Sequence, residues 1–201
     1  MDVAIDWTPK ARAVLAAASE LFYAHGIHAV GVEAIAERAG VTKKTLYDRF
    51  GSKERLVVEY LTARDRRWRE LLAERLEAAG PSAAEQLDAL LAASREWSHA
   101  EGFNGCAMVN AHAEVDDPAH PAHQVIVEQK RWMLQLFRSV VERSGAPQPQ
   151  HLAQALFLLH EGALVSHGIG VFDDVFERTR EAALSLLEAA APADRGPRDV
   201  L

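Results

Sequence analysis

The stretch Val32–Glu54 reads VEAIAERAGVTKKTLYDRFGSKE, and in it a glycine separates two short helical patterns. Ile35 and Ala36 mark the apolar face of the first pattern, because residues at helical spacing lie on the same side. Gly40 allows a sharp turn that a side chain would obstruct, and Thr42 can cap the following helix with its hydroxyl. The stretch therefore predicts two short helices joined by a tight turn, the arrangement of a helix-turn-helix.

The second pattern presents polar side chains away from an apolar anchor. Leu46 and Phe50 stand four residues apart and predict contact with the helix that precedes this motif. The residues on the other side are Lys44, Thr45 and Asp48, with Tyr47 and Arg49 at its flanks. Lysine can donate to guanine, threonine can touch a thymine methyl and tyrosine can bond a phosphate, so this face suits the major groove. Lys53 begins the next helix, where backbone amides add to its attraction for a phosphate.

Three motifs occur together at these spacings: I-A-x-x-A-G-V, T-L-Y-x-x-F and S-K-E. In this combination the chain resembles the DNA-binding module of TetR/AcrR-type transcriptional regulators. The resemblance implies an all-α fold of about nine helices, with an N-terminal three-helix DNA-binding module and a larger C-terminal helical domain for effector binding and dimerisation. It also implies a ligand-responsive repressor that binds a palindromic operator as a homodimer and is released by a small molecule.

The resemblance assigns individual residues as well. The positions that typically touch DNA in the family correspond to Lys43, Lys44, Thr45, Tyr47 and Lys53. Asp48 and Arg49 complete the predicted DNA-binding set, and Asp48 can accept from cytosine or exclude wrong sites. Gly31 departs from the family pattern, because a threonine or serine often stands before the second helix. This departure removes a hydroxyl cap and leaves backbone amides for phosphate contact.

Glycine and proline divide the rest of the chain into further helices. Thr8 and Pro9 begin the first helix, Gly26 ends it in a left-handed conformation, and Ser82 forms a capping box with Glu85. We predict no strands and helices over 9–25, 32–39, 43–50, 52–79, 82–99, 106–115, 122–144, 150–167 and 173–191. The expected parts are a DNA-binding domain at 1–51, an effector-binding and dimerisation domain at 52–191, and a flexible tail at 192–201.

Composition excludes several classes of protein. No stretch approaches the roughly 18 consecutive apolar residues of a membrane-spanning helix, and the N-terminus has no signal-peptide pattern. The single cysteine, Cys106, forms no disulfide framework or cysteine cluster and has no basic sequence neighbour that would favour a redox role. Motifs for nucleotide binding or hydrolase chemistry are missing. We expect a cytoplasmic protein with no cofactor and no membrane partner.

The net charge of −7 divides unevenly along the chain. Residues 1–69 hold 12 basic and 9 acidic side chains, a net charge of +3, whereas residues 70–201 hold 10 and 20, a net charge of −10. The slightly basic N-terminal third suits DNA, and the acidic remainder predicts a different partner. The last two helical patterns carry more apolar surface than one chain needs, which favours a four-helix interface between two copies.

An effector pocket is expected where polar groups stand among apolar ones. The candidate ligand-binding residues are Trp68, Phe103, Met108, Asn110, His112, Trp132, Phe137, His160 and Glu161. The aromatic and aliphatic content of this set predicts a small-molecule effector that is largely apolar.

Two other interpretations stay open at this point. One is a regulator of the same fold that activates transcription or that responds to a partner protein. The other is a helical enzyme or a metal-sensing protein that uses His160, Glu161, or the group His112, His120 and His123. Against this second interpretation, the sequence contains no metal-binding spacing such as H-E-x-x-H and no legible pairing of a nucleophile with a base.

Overall fold

The computed structural model describes residues 5–102, 104–115 and 117–191, which form nine α-helices and no strand within these ranges. The helices are α1 (Pro9–His25), α2 (Val32–Arg38), α3 (Lys43–Phe50), α4 (Lys53–Ala78), α5 (Ala83–Ala100), α6 (Ala107–Glu114), α7 (Pro121–Glu142), α8 (Pro149–Ile169) and α9 (Val175–Ala190). The predicted all-α fold is confirmed, and helix ends differ from the predicted ones by at most 2 residues. No described helix combines the length and apolar character that a membrane crossing requires.

The chain divides into two compact units. One contains Met1–Arg69 and Asn104–Lys130, and the other contains Glu70–Phe103 and Arg131–Leu201. The first unit therefore holds α1, α2, α3, most of α4, α6 and the start of α7, which is more than the 1–51 expected for the DNA-binding domain. A functional boundary near residue 51 stays a prediction. The predicted flexible tail at 192–201 lies outside the described residues.

Helix α1 begins and ends at residues that the sequence marks. The Thr8 hydroxyl accepts a hydrogen bond from the N–H of Ala11 at 3.3 Å, and Pro9 lies in the first turn. Gly26 ends the helix with φ 86° and ψ 157°, and its N–H donates to the carbonyl of Phe22. The left-handed conformation predicted for Gly26 is wrong, because ψ lies far from the left-handed helical region although φ is positive. This region is adopted almost only by glycine.

Helices α2 and α3 pack on α1 through a shared apolar core. Ile35 and Leu46 are completely buried, and Phe50 is 1% exposed. The same cluster includes Val14, Ala18 and Phe22 of α1, Leu56, Tyr60 and Leu61 of α4, and Ala107, Met108 and Ala111 of α6. The predicted anchor of α3 is thus confirmed. Burying each large side chain contributes about 1.5–3 kcal/mol, which fixes α3 firmly relative to α1.

Gly40 makes the turn between α2 and α3 with φ +65°, and a Cβ built there meets nothing within 4 Å. The turn therefore requires glycine for its backbone conformation, and the predicted steric obstruction is wrong.

We expect Gly40→Ala to lower the free energy of unfolding by about 1–2 kcal/mol, because a positive φ is strained for alanine. Gly40→Asn should cost less, since asparagine tolerates this region. Urea unfolding of the two variants gives the comparison, and equal stability of Gly40→Ala and wild type would contradict the explanation.

The second unit contains α5, α8, α9 and the remaining parts of α4 and α7. Its first helix, α5, begins with the predicted capping box. The Ser82 hydroxyl accepts from the N–H of Glu85 at 3.2 Å, and the Glu85 carboxylate accepts from the N–H of Ser82 at 3.0 Å. Helix α9 packs against both α5 and α8. Arg180 of α9 also forms an ion pair with Asp88 of α5.

Candidate nucleic-acid interface

The turn between α2 and α3 is closed by backbone hydrogen bonds and capped by a hydroxyl. The N–H of Val41 donates to the carbonyl of Ala36 at 3.0 Å. Thr42 then caps α3, because its hydroxyl accepts a hydrogen bond from the N–H of Thr45 at 3.1 Å. With Leu46 completely buried beneath, the opposite face of α3 is directed towards solvent.

The predicted DNA-binding side chains of α3 lie away from the buried side of the helix, which Leu46 and Phe50 form. The exposed ones are Lys43, Lys44, Tyr47 and Asp48, and the half-buried ones are Thr45 and Arg49. Tyr47 is 40% exposed although it is aromatic. The structure thus brings six of the seven predicted residues to one short helix. Their contact with DNA stays a prediction.

Carboxylates pair with two lysines on this surface. The Nζ atom of Lys44 lies 2.8 Å from Oδ2 of Asp48, one helical turn further on, and Lys43 forms an ion pair with Glu33 of α2. The hydrogen bond between Lys43 and Glu33 raises the pKa of the lysine and lowers the pKa of the carboxyl, so both groups stay charged near neutral pH. Because both pairs are exposed, a competing phosphate can replace either carboxylate at little cost.

The segment before α1 also reaches this surface, although none of its residues is among the predicted site residues. Arg49 donates to the carboxylate of Asp6 at 2.8 Å. Trp7 packs edge-on against Phe50, with ring centroids 6.2 Å apart, and is 38% exposed. Asp6 lies 43 residues from Arg49 in sequence, so no local spacing could have revealed the pair.

Helix α4 begins with the seventh predicted residue, Lys53. Its Nζ lies 6.0 Å from the ring centroid of Phe22, and the preceding Ser52 accepts a hydrogen bond from the N–H of Arg55 at 3.1 Å. Hydrogen bonds from its own backbone N–H and from Ser52 lower the pKa of Glu54, which therefore stays ionised beside Lys53. Lys53 begins a helix as predicted, and its phosphate contact stays a prediction.

The candidate effector residues of the first unit have contrasting surroundings. Trp68 and Met108 are buried, and Met108 belongs to the apolar core that holds α1 to α4. Asn110 and His112 lie on the exposed side of α6. The structure does not bring these four side chains into one described cavity. Phe103, another candidate, lies outside the described residues.

In the second unit the structure brings Phe137 and His160 together, with ring centroids 5.5 Å apart. His160 is 3% exposed, and its Nε2 lies 2.9 Å from the hydroxyl of Ser94. That hydroxyl also lies 2.9 Å from the backbone carbonyl of Leu90 in α5, to which it can donate. Nδ1 has no hydrogen-bond partner among the described atoms and lies 3.6 Å from Oε1 of Glu161. Trp132 is half-buried on α7.

Among the described residues, no group of three His, Cys, Asp or Glu side chains is placed to hold a metal ion. His112 and His123 approach each other, with ring centroids 6.2 Å apart, and Nδ1 of His120 accepts a backbone N–H at the start of α7. Cys106 has a basic neighbour that the sequence did not reveal, since Nζ of Lys130 lies 3.2 Å from its Sγ. A ring contact and a backbone hydrogen bond are thus the interactions described for these three histidines.

The helix-turn-helix and the fold as a whole are similar to those of known proteins. Residues 14–60, from within α1 to the start of α4, match the family model described as bacterial regulatory proteins, tetR family. A TetR-family transcriptional regulator from Streptomyces coelicolor superposes with a TM-score of 0.85 at 30% identity, covering 92% of this chain and 97% of that chain. A TetR-type regulator from Streptomyces avermitilis superposes with a TM-score of 0.75 at 32% identity, covering 91% of this chain and 98% of that chain.

A shorter match concerns a regulator named as an activator. The HTH-type transcriptional activator FasR from Mycolicibacterium smegmatis is 50% identical over 48 residues, which are 24% of this chain and 22% of that protein. The chain thus covers about a fifth of the length of this curated relative. The two Streptomyces proteins match over nearly their whole length, well beyond the helix-turn-helix. The chain therefore belongs to the TetR family of transcriptional regulators, which bind DNA through a helix-turn-helix and are not enzymes.

Proposed function

We propose that this regulator is a ligand-responsive repressor that binds a palindromic operator as a homodimer and is released by a small molecule. The observation that carries the proposal is the solvent-facing surface of α3, where Lys44 and Tyr47 stand exposed above the buried anchor of Leu46 and Phe50. Reading base edges requires donors at fixed positions, and a buried anchor provides that rigidity.

Each DNA-binding residue has a distinct role in this proposal. Lys44 donates to guanine, Thr45 contacts a thymine methyl and Asp48 accepts from the amino group of cytosine. The residues assigned to phosphates are Lys43, Tyr47, Arg49 and Lys53. Lys43 and Arg49 exchange their carboxylate partners for phosphates, which the exposure of both ion pairs allows.

Operator affinity should fall steeply as salt rises. Three cationic side chains per protomer, Lys43, Arg49 and Lys53, are assigned to phosphates, so a dimer releases counterions from about six phosphates. We therefore expect the logarithm of affinity to fall against the logarithm of salt concentration with a slope of about −5. Fluorescence anisotropy of a labelled duplex over a range of KCl concentrations gives the slope. A slope near zero for the folded protein would contradict these assignments.

We assign dimerisation to an exposed apolar stripe on α8. Leu158, Val165 and Ile169 are 68%, 44% and 72% exposed. With Ala155 and Gly162 they follow alternating spacings of three and four residues, the repeat of helices that pack side by side. A second copy of this stripe is the occupant we propose. The resulting twofold symmetry supplies the two reading helices that a palindrome requires.

Small residues support close approach of helices at this interface. Gly162 lies inside α8, where glycine weakens a helix by about 1 kcal/mol relative to alanine, and a Cβ built there meets nothing within 4 Å. The exposed side of α9 carries Ala182, Ser185, Leu186 and Ala189. These features favour an interface of four helices, α8 and α9 from each copy.

We assign the polar contact of the effector to His160 and Glu161, with Phe137 and Trp132 as apolar surface. Nδ1 of His160 and the acceptor Oε1 of Glu161 lie 3.6 Å apart, and only 4% of the histidine and 17% of the glutamate side chain are exposed. A largely apolar molecule with one hydrogen-bond donor suits this pair. A thermal-shift screen tests the assignment, because a compound that releases the operator must stabilise the DNA-free state.

The direction of regulation needs its own test, since one relative is named as an activator. With the operator placed over a promoter that drives a reporter gene, a repressor lowers expression, and an effector restores it. Raised expression would replace repression by activation and leave the DNA-binding proposal intact. A cytoplasmic location belongs to the same proposal, because the regulator must reach the chromosome.

A further inference from the structure

The last residue of α6, Glu114, binds the connection between α1 and α2. Its carboxylate accepts a hydrogen bond from the N–H of Ile27 at 3.0 Å and another from the N–H of His28 at 2.7 Å. The imidazole of His28 lies 3.5 Å from the same carboxylate. Only 25% of the Glu114 side chain is exposed, so these charge-assisted hydrogen bonds are partly shielded from water.

Gly26 makes this contact possible in two ways. Its φ of +86° turns the chain after α1, so that the next two backbone N–H groups reach one carboxylate. A Cβ on Gly26 would lie 3.0 Å from Oε1 of Glu114, so a side chain there would force the carboxylate to shift by a few tenths of an ångström. The N–H groups of Ile27 and His28 each donate to a different oxygen of the same carboxylate.

The segment before α6 is fastened to the end of α1 as well. The hydroxyl of Tyr23 donates to the carbonyl of Gly105 at 3.0 Å, and the amide of Asn104 donates to the carbonyl of Tyr23 at 2.9 Å. Asn110 of α6 donates to the carbonyl of Asn104 at 2.7 Å. The Glu114 contact therefore extends an existing attachment of α6 from the end of α1 to the start of the following connection.

The connection held by Glu114 leads directly into the helix-turn-helix. Gly31 is the N-cap residue of α2 and, having no side chain, cannot cap the helix with a hydroxyl. The entry into α2 is held by the buried side chains of Ile27, Val30 and Val32 and by the backbone contacts of residues 26–31. Among the contacts that the structure describes, the polar contacts between the backbone of residues 26–31 and α6 are the two hydrogen bonds from the N–H groups of Ile27 and His28.

We propose that Glu114 is a positioning residue for DNA binding: by fixing the connection between α1 and α2, it sets the orientation in which α2 and α3 meet DNA. This inference rests on the proposed DNA-binding function. Glu114 touches no nucleic acid itself in this account. It acts on the recognition surface through the backbone of Ile27 and His28.

The negative charge of Glu114 allows a test that separates positioning from electrostatics. Glu114→Gln removes a negative charge from a DNA-binding unit, so electrostatics alone predicts tighter binding, whereas loss of positioning predicts weaker binding. We expect at least tenfold weaker operator binding with an unchanged salt slope, because no phosphate contact is lost. Glu37→Gln, at an exposed site on α2, makes the same charge change and should bind as tightly as wild type or more tightly.

Hydrogen exchange provides the second measurement. The amides of Ile27 and His28 should exchange at least tenfold faster in Glu114→Gln, and Glu114→Asp, which keeps the charge, should restore part of both the protection and the affinity. If Glu114→Gln does not fold, operator affinity and amide exchange are measured on Glu114→Asp, and these two measurements decide whether Glu114 positions the connection. Operator binding at wild-type strength or tighter by Glu114→Gln would overturn the inference. If wild type binds no DNA, the proposed function fails, and with it the role of Glu114.

Discussion

Replacing Lys44 and Tyr47 together by alanine should weaken operator binding about a thousandfold. Each side chain is expected to contribute roughly 1 kcal/mol or more per protomer, and two contacts in two protomers amount to about 4 kcal/mol. Both residues are exposed, so the melting temperature should stay close to that of wild type. Anisotropy titration of one duplex at fixed salt gives the affinity, and circular dichroism gives the melting temperature.

Single variants separate the roles of these side chains. Lys44→Ala should relax the preference at one base pair, and Tyr47→Phe, which keeps the ring, should lose about tenfold through the hydroxyl alone. Asp48→Asn should change the preferred base at the pair it faces, since the carboxylate is an acceptor only. Arg131→Ala removes one positive charge from an exposed site on α7 and serves as the control. If the double variant binds as tightly as this control, α3 is not the reading helix.

Placing a glutamate at position 165 should convert the dimer into a monomer. Val165 lies in the middle of the exposed stripe of α8, and the twofold axis would bring two copies of the new carboxylate into an apolar interface. An uncompensated charge in such a setting costs several kcal/mol. Sedimentation velocity at micromolar concentration should therefore show the monomer mass for Val165→Glu. Operator affinity should fall at least a hundredfold, because each protomer then binds only one half-site.

A charge control distinguishes loss of the interface from loss of the fold. Gln135→Glu adds the same negative charge at an exposed site of α7 and should stay dimeric. The helical content of Val165→Glu should match that of wild type, because the valine side chain is 44% exposed within one chain. A dimeric Val165→Glu with wild-type affinity would exclude the α8 stripe as the interface.

The helices were predictable from sequence because their ends depend on nearby residues. Thr8 and Ser82 cap their helices through N–H groups three residues away, and Gly40 supplies a positive φ within a single turn. The anchor of Leu46 and Phe50 follows from helical spacing alone. The exposed face of α3 was therefore predictable, because it is the side that remains once the anchor is buried.

The surroundings of the site depend on residues that are far apart in sequence. Asp6 pairs with Arg49 over 43 residues, and Glu114 binds Ile27 over 87 residues. No local pattern carries that information. The backbone conformation of Gly26 also differs from the left-handed one that local spacing predicts, and the carboxylate that lies against it belongs to α6.

Candidate effector residues were harder to predict, because burial depends on packing as well as on residue type. The sequence pattern predicts Met108 as a pocket residue, yet it lies in the apolar core of the first unit. His112 stands among apolar neighbours in sequence, yet its side of α6 faces solvent. His160 differs, because its helix is apolar almost throughout and the structure buries it beside Phe137 and Ser94.

Selection of bound duplexes from a random DNA pool tests the central claim most directly. At moderate salt the wild-type protein should enrich a palindrome, with two half-sites whose centres lie about one or two helical turns apart. The Lys44→Ala, Tyr47→Ala double variant should enrich nothing under the same conditions. A folded wild-type dimer that enriches no sequence at any salt concentration, or an equal palindrome from the double variant, would contradict the assignment of α3 as the operator-reading helix.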